Sequence, residues 1–239
     1  MTASEPLPVT GQPVGPPVDP TPAKRPGPVT FKGHYGHIEK LKPDHTADLW
    51  SLLAGHDQIW TYISRSGPFV NFAEFSAFMA KRAVTTDPYA YAIVDPSGRA
   101  VGYFTLMRIE PEMRVIEVGQ VVYSPLLQRS ALATEAQYLL ARYVFDTLGY
   151  RRYEWKCDTL NAVSRRAAAR LGFSFEGVFR QHMIVHDRNR DTAWFSMLDS
   201  EWPARKANFE RWLAPANFDG EGRQRESLAV LNGHKDSPA

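Results

Sequence analysis

The sequence predicts a mixed α/β (α+β) fold, a central sheet of about six to seven strands flanked by helices. Three observations carry that reading. Period-two runs rich in Val, Ile, Tyr and Phe recur between positions 89 and 198. Two helical patterns interrupt those runs mid-chain. Pro, Gly, Ser and Asp cluster at the boundaries, where chain reversal needs them.

The elements follow in order. A short strand is expected around His37–Leu41, and Pro43-Asp44 opens a helix carrying Leu49, Leu52 and Leu53. A second helix starts at Asn71, with Glu74 three residues on in capping-box spacing and Phe75, Phe78 and Met79 on its apolar face. "YAYAIVD" and "AVGYFTLMRI" flank Pro96-Ser97-Gly98-Arg99 as a hairpin, and "VIEVGQVVY" is the next strand. A long helix runs from about Arg129 to Leu148, with Leu132, Ala136, Leu139, Tyr143 and Leu148 on one broad face. A strand at Tyr153–Asp158, a helix at Asn161–Leu171, and strands at Phe173–His186 and Thr192–Leu198 complete the alternation. "SEWPARKANFERWL" is read as a terminal helix capped by Ser200.

The folded part is placed at residues 30–213, one domain without internal repeats. Half of the 18 prolines fall within residues 1–28, a stretch without aromatic residues. Such a segment buries too little apolar surface to offset its ordering entropy, so residues 1–29 are expected to form a disordered Pro-rich tail. Residues 214–239, rich in Gly, Ser, Asn and charge, are expected to be a flexible tail as well. A formal net charge of +2 does not point to nucleic acid or to an anionic membrane surface. No apolar run approaches the roughly 20 residues that span a bilayer, and the N-terminus lacks a signal-peptide pattern. Cys157 is the only cysteine, which makes a reducing, cytoplasmic setting the default.

The segment "YSPLLQRSALATEAQYLL" (123–140) passes from strand to helix with no acidic residue before Glu135. A helix start exposes unpaired N–H groups and the positive end of its dipole, where a phosphate fits. Gln128, Arg129, Ser130, Ala131, Leu132 and Ala133 are therefore a candidate anion-binding turn; the alternative is a first turn that is simply solvated.

Gln128-x-x-Ala131-x-Ala133 resembles the acyl-CoA pyrophosphate loop of the GNAT acetyltransferase superfamily. Asn161, Ser164, Leu171, Gly172, Phe173, Glu176 and Gly177 resemble the signature of its RimJ/RimL-like branch, and the likeness covers about residues 36–200. It implies a GNAT-like fold with a splayed parallel strand pair and an acetyl-CoA-dependent N-acetyltransferase working by direct attack in a ternary complex. It also implies acetyl-CoA and a primary amine as partners, the amine being a protein N-terminus or an amino-acid-like metabolite. The readings kept beside it are acetylation of a small-molecule amine such as a polyamine or drug, and a non-catalytic CoA-binding or scaffolding protein. A monomer or homodimer is expected. Ala131 stands where the family usually has glycine; its methyl narrows the approach to the phosphates and implies weaker cofactor binding.

By the same resemblance Val121, Val122 and Tyr123 offer backbone groups to the pantetheine arm, Pro125 ends strand pairing, and Asn161 bonds the pantetheine amide. Ser164 replaces the usual tyrosine acid, because the matching stretch Ala167-Ala168-Ala169 has no hydroxyl. Arg165 or Arg166 is a candidate for the 3′-phosphate. The strand period puts Glu117 on one face with Gly119, Val121 and Tyr123. Its distance from Gln128 matches that of the family's general-base glutamate, and burial would raise its pKa towards neutrality. The alternative is a structural pair with Arg108 or Arg114. His182, on the strand that lines the acceptor pocket in relatives, is a candidate second proton carrier. No metal is expected: His182 and His186 share a strand, and His34 and His37 lack acidic or thiol company. Cys157 reads as a small buried hydrophobe. The arginines of "HDRNRDTAWF" either steer an acidic acceptor or are solvated.

Overall fold

The computed structural model describes residues 14–64 and 66–233. One sheet of eight strands runs in the order β1-β2-β3-β4-β5-β6-β8-β7. The strands are β1 (Thr30–Lys32), β2 (His37–Lys40), β3 (Tyr89–Val94), β4 (Ala100–Glu110), β5 (Val115–Tyr123), β6 (Arg152–Asp158), β7 (Ser174–Val185) and β8 (Arg188–Leu198). All neighbours are antiparallel except β5 and β6. A parallel pair needs a long crossover, and helix α3 (Ala131–Arg142) supplies it, running into a π-helical turn at Tyr143–Leu148. The other helices are α1 (Thr46–Leu53), α2 (Phe72–Val84), α4 (Ala162–Arg170), α5 (Trp202–Leu213) and α6 (Leu228–Leu231). None among the described residues is long and apolar enough to cross a membrane.

Every residue of β3 is buried, because both faces of the sheet are covered. Tyr89, Tyr91 and Ile93 join the core under α3 and α5, whereas Ala90, Ala92 and Val94 pack with Leu49, Leu53, Phe75 and Met79 of α1 and α2. Each fully buried Leu or Phe adds about 1.5–3 kcal/mol to the fold. Asn71 caps α2 by accepting from the Glu74 N–H at 2.9 Å, and the Glu74 carboxylate accepts from Val70 rather than closing back on Asn71.

The strand count exceeds expectation by β1, whose three residues are too short to show a period. Ser200 does not cap α5: Glu201 occupies the N-cap without a side-chain cap bond, its carboxylate accepting instead from the Leu198 N–H, and Pro203 sits in the first turn. Both tails contain ordered packing. Ala23 is buried, its N–H donates to Pro111 O, the Lys24 N–H donates to Leu148 O, and the Tyr91 hydroxyl donates to Gly27 O. Near the other end Asn217 bonds Trp212 O and both backbone groups of Glu226, and Leu228 is fully buried. Backbone hydrogen bonds to the body of the domain replace the apolar surface that the proline-rich stretch lacks. The tail expectations for residues 1–13 and 234–239 lie outside the described residues.

Almost all of α3 is buried, including Thr134, Glu135 and Gln137, and each of these polar groups has a partner. Glu135 accepts from the N–H groups of His34 and Tyr35, at 2.6 and 2.8 Å, and so holds the β1–β2 turn on the helix. A Cβ on Gly33 would stand 2.1 Å from the Glu135 carboxyl carbon, so only glycine lets the backbone come this close. Glu135→Ala should orphan two donors and cost about 2–4 kcal/mol, read as a lower urea midpoint with an unchanged slope.

Candidate active site

β5 pairs with β6 only from Val115–Arg152 to Val118–Trp155. Beyond that β6 continues against β8 to Asp158, while β5 continues against β4 to Tyr123. A bulge in β5 reinforces the parting: Thr105 pairs with Gly119 but Tyr103 with Val122, and Gln120 has φ +48°. The two strands splay around a cleft of about 2070 Å³. Glu117, Gly119, Val121, Tyr123, Gln128, Arg129, Ser130, Ala131, Ala133, Asn161, Ser164 and His182 all line it; Val122 and Leu132 point into the core instead.

The turn at 128–133 differs from a row of six free donors. Ser130 is itself the N-cap of α3, its Oγ accepting from the Ala133 N–H at 3.1 Å and donating to Leu127 O at 2.7 Å. The Gln128 and Ser130 N–H groups donate to Ser124 O and Leu127 O. Gln128 turns its side-chain amide back onto Tyr123 O at 3.0 Å. Among the described residues, the N–H groups of Arg129, Ala131 and Leu132 keep no acceptor. Arg129 adopts φ +60°, the left-handed conformation that curls successive N–H groups into an anion-binding concavity. Three free donors at the head of a twelve-residue helix fit a diphosphate.

Asn161 caps α4 with its carbonyl, accepting from the Ser164 N–H at 3.0 Å, and no acceptor is recorded for its amide NH₂ among the described residues. Ser164 Oγ accepts from Trp155 Nε1 at 2.9 Å, and its hydroxyl also lies within hydrogen-bond reach of the Cys157 thiol. A residue not singled out from sequence joins them: Gln120 lines the cleft with a buried side-chain oxygen that has no partner among the described residues. An amide-bearing ligand arm would satisfy it. Cys157 is buried and burial pushes its thiol pKa up, consistent with a packing residue.

Glu117 is buried and held by two cations. Its Oε2 lies 3.0 Å from Lys156 Nζ and 3.1 Å from Arg108 Nε. Pairing with Arg108 was the alternative to a catalytic reading; Arg114 goes elsewhere, to Gly149 O. The second oxygen, Oε1, faces Gly119 and has no partner among the described residues; a Cβ on Gly119 would sit 3.5 Å from it and 2.4 Å from Met107 Sδ. Burial raises the Glu117 pKa, with Lys156 and Arg108 working against it.

Lys156 was missed because a lysine within a strand usually faces solvent. Here its ammonium also contacts Glu154 at 2.6 Å and sits 3.8 Å over the Trp194 ring. Arg152 extends the row from Glu154 to Glu176, whose pKa its guanidinium draws down to about 2. The period of two places Arg152, Glu154 and Lys156 on one face of β6, with Glu117 and Glu154 paired in register across β5 and β6.

His182 packs against Phe179 and Trp194 and shares a 2.9 Å hydrogen bond with Thr192 Oγ1 through Nδ1. Burial lowers its pKa, and Arg108, Arg190 and Lys156 lower it further. The imidazole is neutral near pH 7. Among the described residues no group of three or more His, Cys, Asp and Glu could hold a metal ion.

Lys156→Met should leave Glu117 and Glu154 as adjacent buried carboxylates. We expect a loss of about 3–5 kcal/mol at neutral pH. Raised carboxylate pKa values favour the protonated folded state, so urea unfolding should show this loss shrinking as pH falls towards 5.

The acetyltransferase (GNAT) domain pattern matches residues 37–174, more than half of the chain. A GCN5-related N-acetyltransferase from Brucella melitensis is 46% identical, superposes with a TM-score of 0.86, and covers 89% of this chain and 98% of its own. A GNAT-family structure from Chromobacterium violaceum, described as a probable acetyltransferase, is 38% identical with a TM-score of 0.75, covering 84% of this chain and 100% of its own. The Bacillus subtilis (strain 168) protein described as "Putative ribosomal N-acetyltransferase YdaF" is 27% identical over 109 residues, 46% of this chain and 59% of that protein, so the match spans less than two thirds of its length. The splayed parallel strands, the phosphate-ready helix start and these matches agree: the chain belongs to the GNAT acetyltransferase family, whose members use acetyl-CoA as cosubstrate.

Proposed function

We propose that this protein acetylates a primary amine, taken from a peptide N-terminus or an amino-acid-like metabolite, by direct attack within a ternary complex. One observation carries the reading: a single cleft is lined both by Arg129 and Ala131, whose N–H groups are free among the described residues, and by Glu117, whose Oε1 has no partner among them. The diphosphate of CoA fits the first. The backbone of Val121–Tyr123, the unpartnered Gln120 oxygen and the Asn161 amide suit the pantetheine arm.

Acetyl-CoA would supply an activated thioester: the new C–N bond forms as the C–S bond breaks, and the proton lost by the amine balances the one gained by the thiolate. Glu117 Oε1 receives the amine proton, directly or through a water beside Gly119. Lys156 and Arg108 hold the other oxygen and fix the carboxylate's orientation, while burial keeps its pKa above the ordinary value of 4.5. Ser164 Oγ, whose lone pair is engaged by Trp155, is set up to donate towards the thiolate. An α-amine, with a pKa near 8, gives up its proton more readily than a lysine near 10.4. The ribosomal description attached to the Bacillus subtilis relative accords with a peptide N-terminus.

Glu117→Gln should lower kcat by roughly 10²–10⁴-fold while leaving CoA affinity within about twofold. In the wild type, kcat/KM should rise with pH through a limb above 4.5, because the base acts only when deprotonated. The variant should lose that limb. Thiol release from acetyl-CoA across an amine panel measures both; full activity of the variant would retire Glu117 as the base.

A further inference from the structure

Among the described residues that line the cleft beside His182, one cation is left over once the ion pairs are assigned. Glu176, Arg152, Glu154, Lys156, Glu117 and Arg108 form an alternating row in which each charge meets its opposite. Arg190 stands outside that row. It lines the cleft, is half-buried, and makes no ion pair among the described residues. The neighbouring Asp191 carboxylate is turned away, accepting from the Gln181 N–H and from Asn189. Of the acidic residues that line the cleft besides Glu117, Asp87 accepts from the backbone N–H groups of Arg108 and Ile109, and Asp158, opposite Thr192 in register, accepts from the Leu160 N–H and makes no ion pair with Arg190 among the described residues.

What holds Arg190 is Thr192, itself 1% exposed. Its Oγ1 accepts from Arg190 Nε at 3.2 Å and contacts His182 Nδ1 at 2.9 Å. A hydroxyl has one hydrogen and two lone pairs, so Thr192 Oγ1 can accept from Arg190 Nε and either donate to His182 Nδ1 or accept from it. Thr192 thus fixes both side chains at once, leaving the outer guanidinium nitrogens of Arg190 to donate and the His182 Nε2 beside them as a second polar contact.

We propose that Arg190, beside His182, forms an acceptor subsite for a side-chain carboxylate, so that the preferred acceptor is an α-amine whose own side chain ends in a carboxylate. This rests on the acetyl-transfer reading above and narrows it, and it disfavours polyamines, whose second ammonium would meet the Arg190 guanidinium. A planar guanidinium matches a carboxylate in a way a point charge does not. A free acidic amino acid and a peptide with an acidic N-terminal residue share this chemistry.

The test measures CoA release by the full-length protein with glutamate, with glutamine, with a Glu-initiated and a Gln-initiated tripeptide, and with spermidine. We expect kcat/KM for the acidic member of at least one pair to exceed its amide by roughly tenfold or more, with the free amino acid or the peptide winning according to the source. Arg190→Gln should collapse that ratio towards one through KM rather than kcat, and Arg190→Lys should restore part of it. Thr192→Val should reduce the ratio with Arg190 intact. Equal rates for acid and amide, or preference for spermidine, would overturn the subsite while leaving acetyl transfer standing. Absence of CoA release with every amine would remove both.

Discussion

The function of this molecule depends on a competition for partners among its strands. β6 pairs with β8 along its whole length, from Arg152–Leu198 to Asp158–Thr192, whereas β5 follows β4 through a bulge at Gln120. Neither can satisfy both neighbours beyond Val118 and Trp155, so the sheet opens there. Unpaired backbone in a protein interior is costly. It persists here because the cleft admits solvent or ligand, and because α3 closes the far side of the gap. The same divergence brings the start of α3 to the opening, so the proposed sites for the diphosphate and for the thioester both depend on one break in the sheet.

The second organising feature is electrostatic. A carboxylate as buried as Glu117 would ordinarily take up a proton, and Lys156 with Arg108 restrains that tendency without abolishing it. The proposed base role requires this balance: enough desolvation to raise basicity, enough positive charge to stay ionised. Lys156 serves Glu154 at the same time, so the Glu117 carboxylate is tied through Arg152 to Glu176 on β7. The row crosses four strands, and its geometry is only as good as their register.

Much of the architecture was legible in the chain. Period-two runs located six of the eight strands, β2 was expected as a short strand near His37–Leu41, and the apolar face from Leu132 to Leu148 located the crossover helix. β1 escaped because three residues carry no period, and the ordered parts of both tails escaped because their contacts reach distant positions, Pro111, Leu148 and Tyr91 for one, Trp212 for the other. The helix-start turn was visible as a pattern of residue types. Which of its N–H groups stay free was not, since Ser130 caps Ala133 and the strand end recruits Gln128 only once the turn has closed.

Local chemistry, then, determined the periodicity of the elements, the helix start between Gln128 and Ala133, and the face on which Glu117 lies, because each depends on residues a few positions apart. The assembled sheet decided the rest. It brought Lys156 and Arg108 onto one carboxylate oxygen and left the other open. It also set Thr192 between His182 and Arg190. Apart from Arg190 and Thr192, which share a face of β8, those contacts join residues on different strands, up to 39 positions apart, and strand register, which long-range pairing alone sets, is what makes them neighbours.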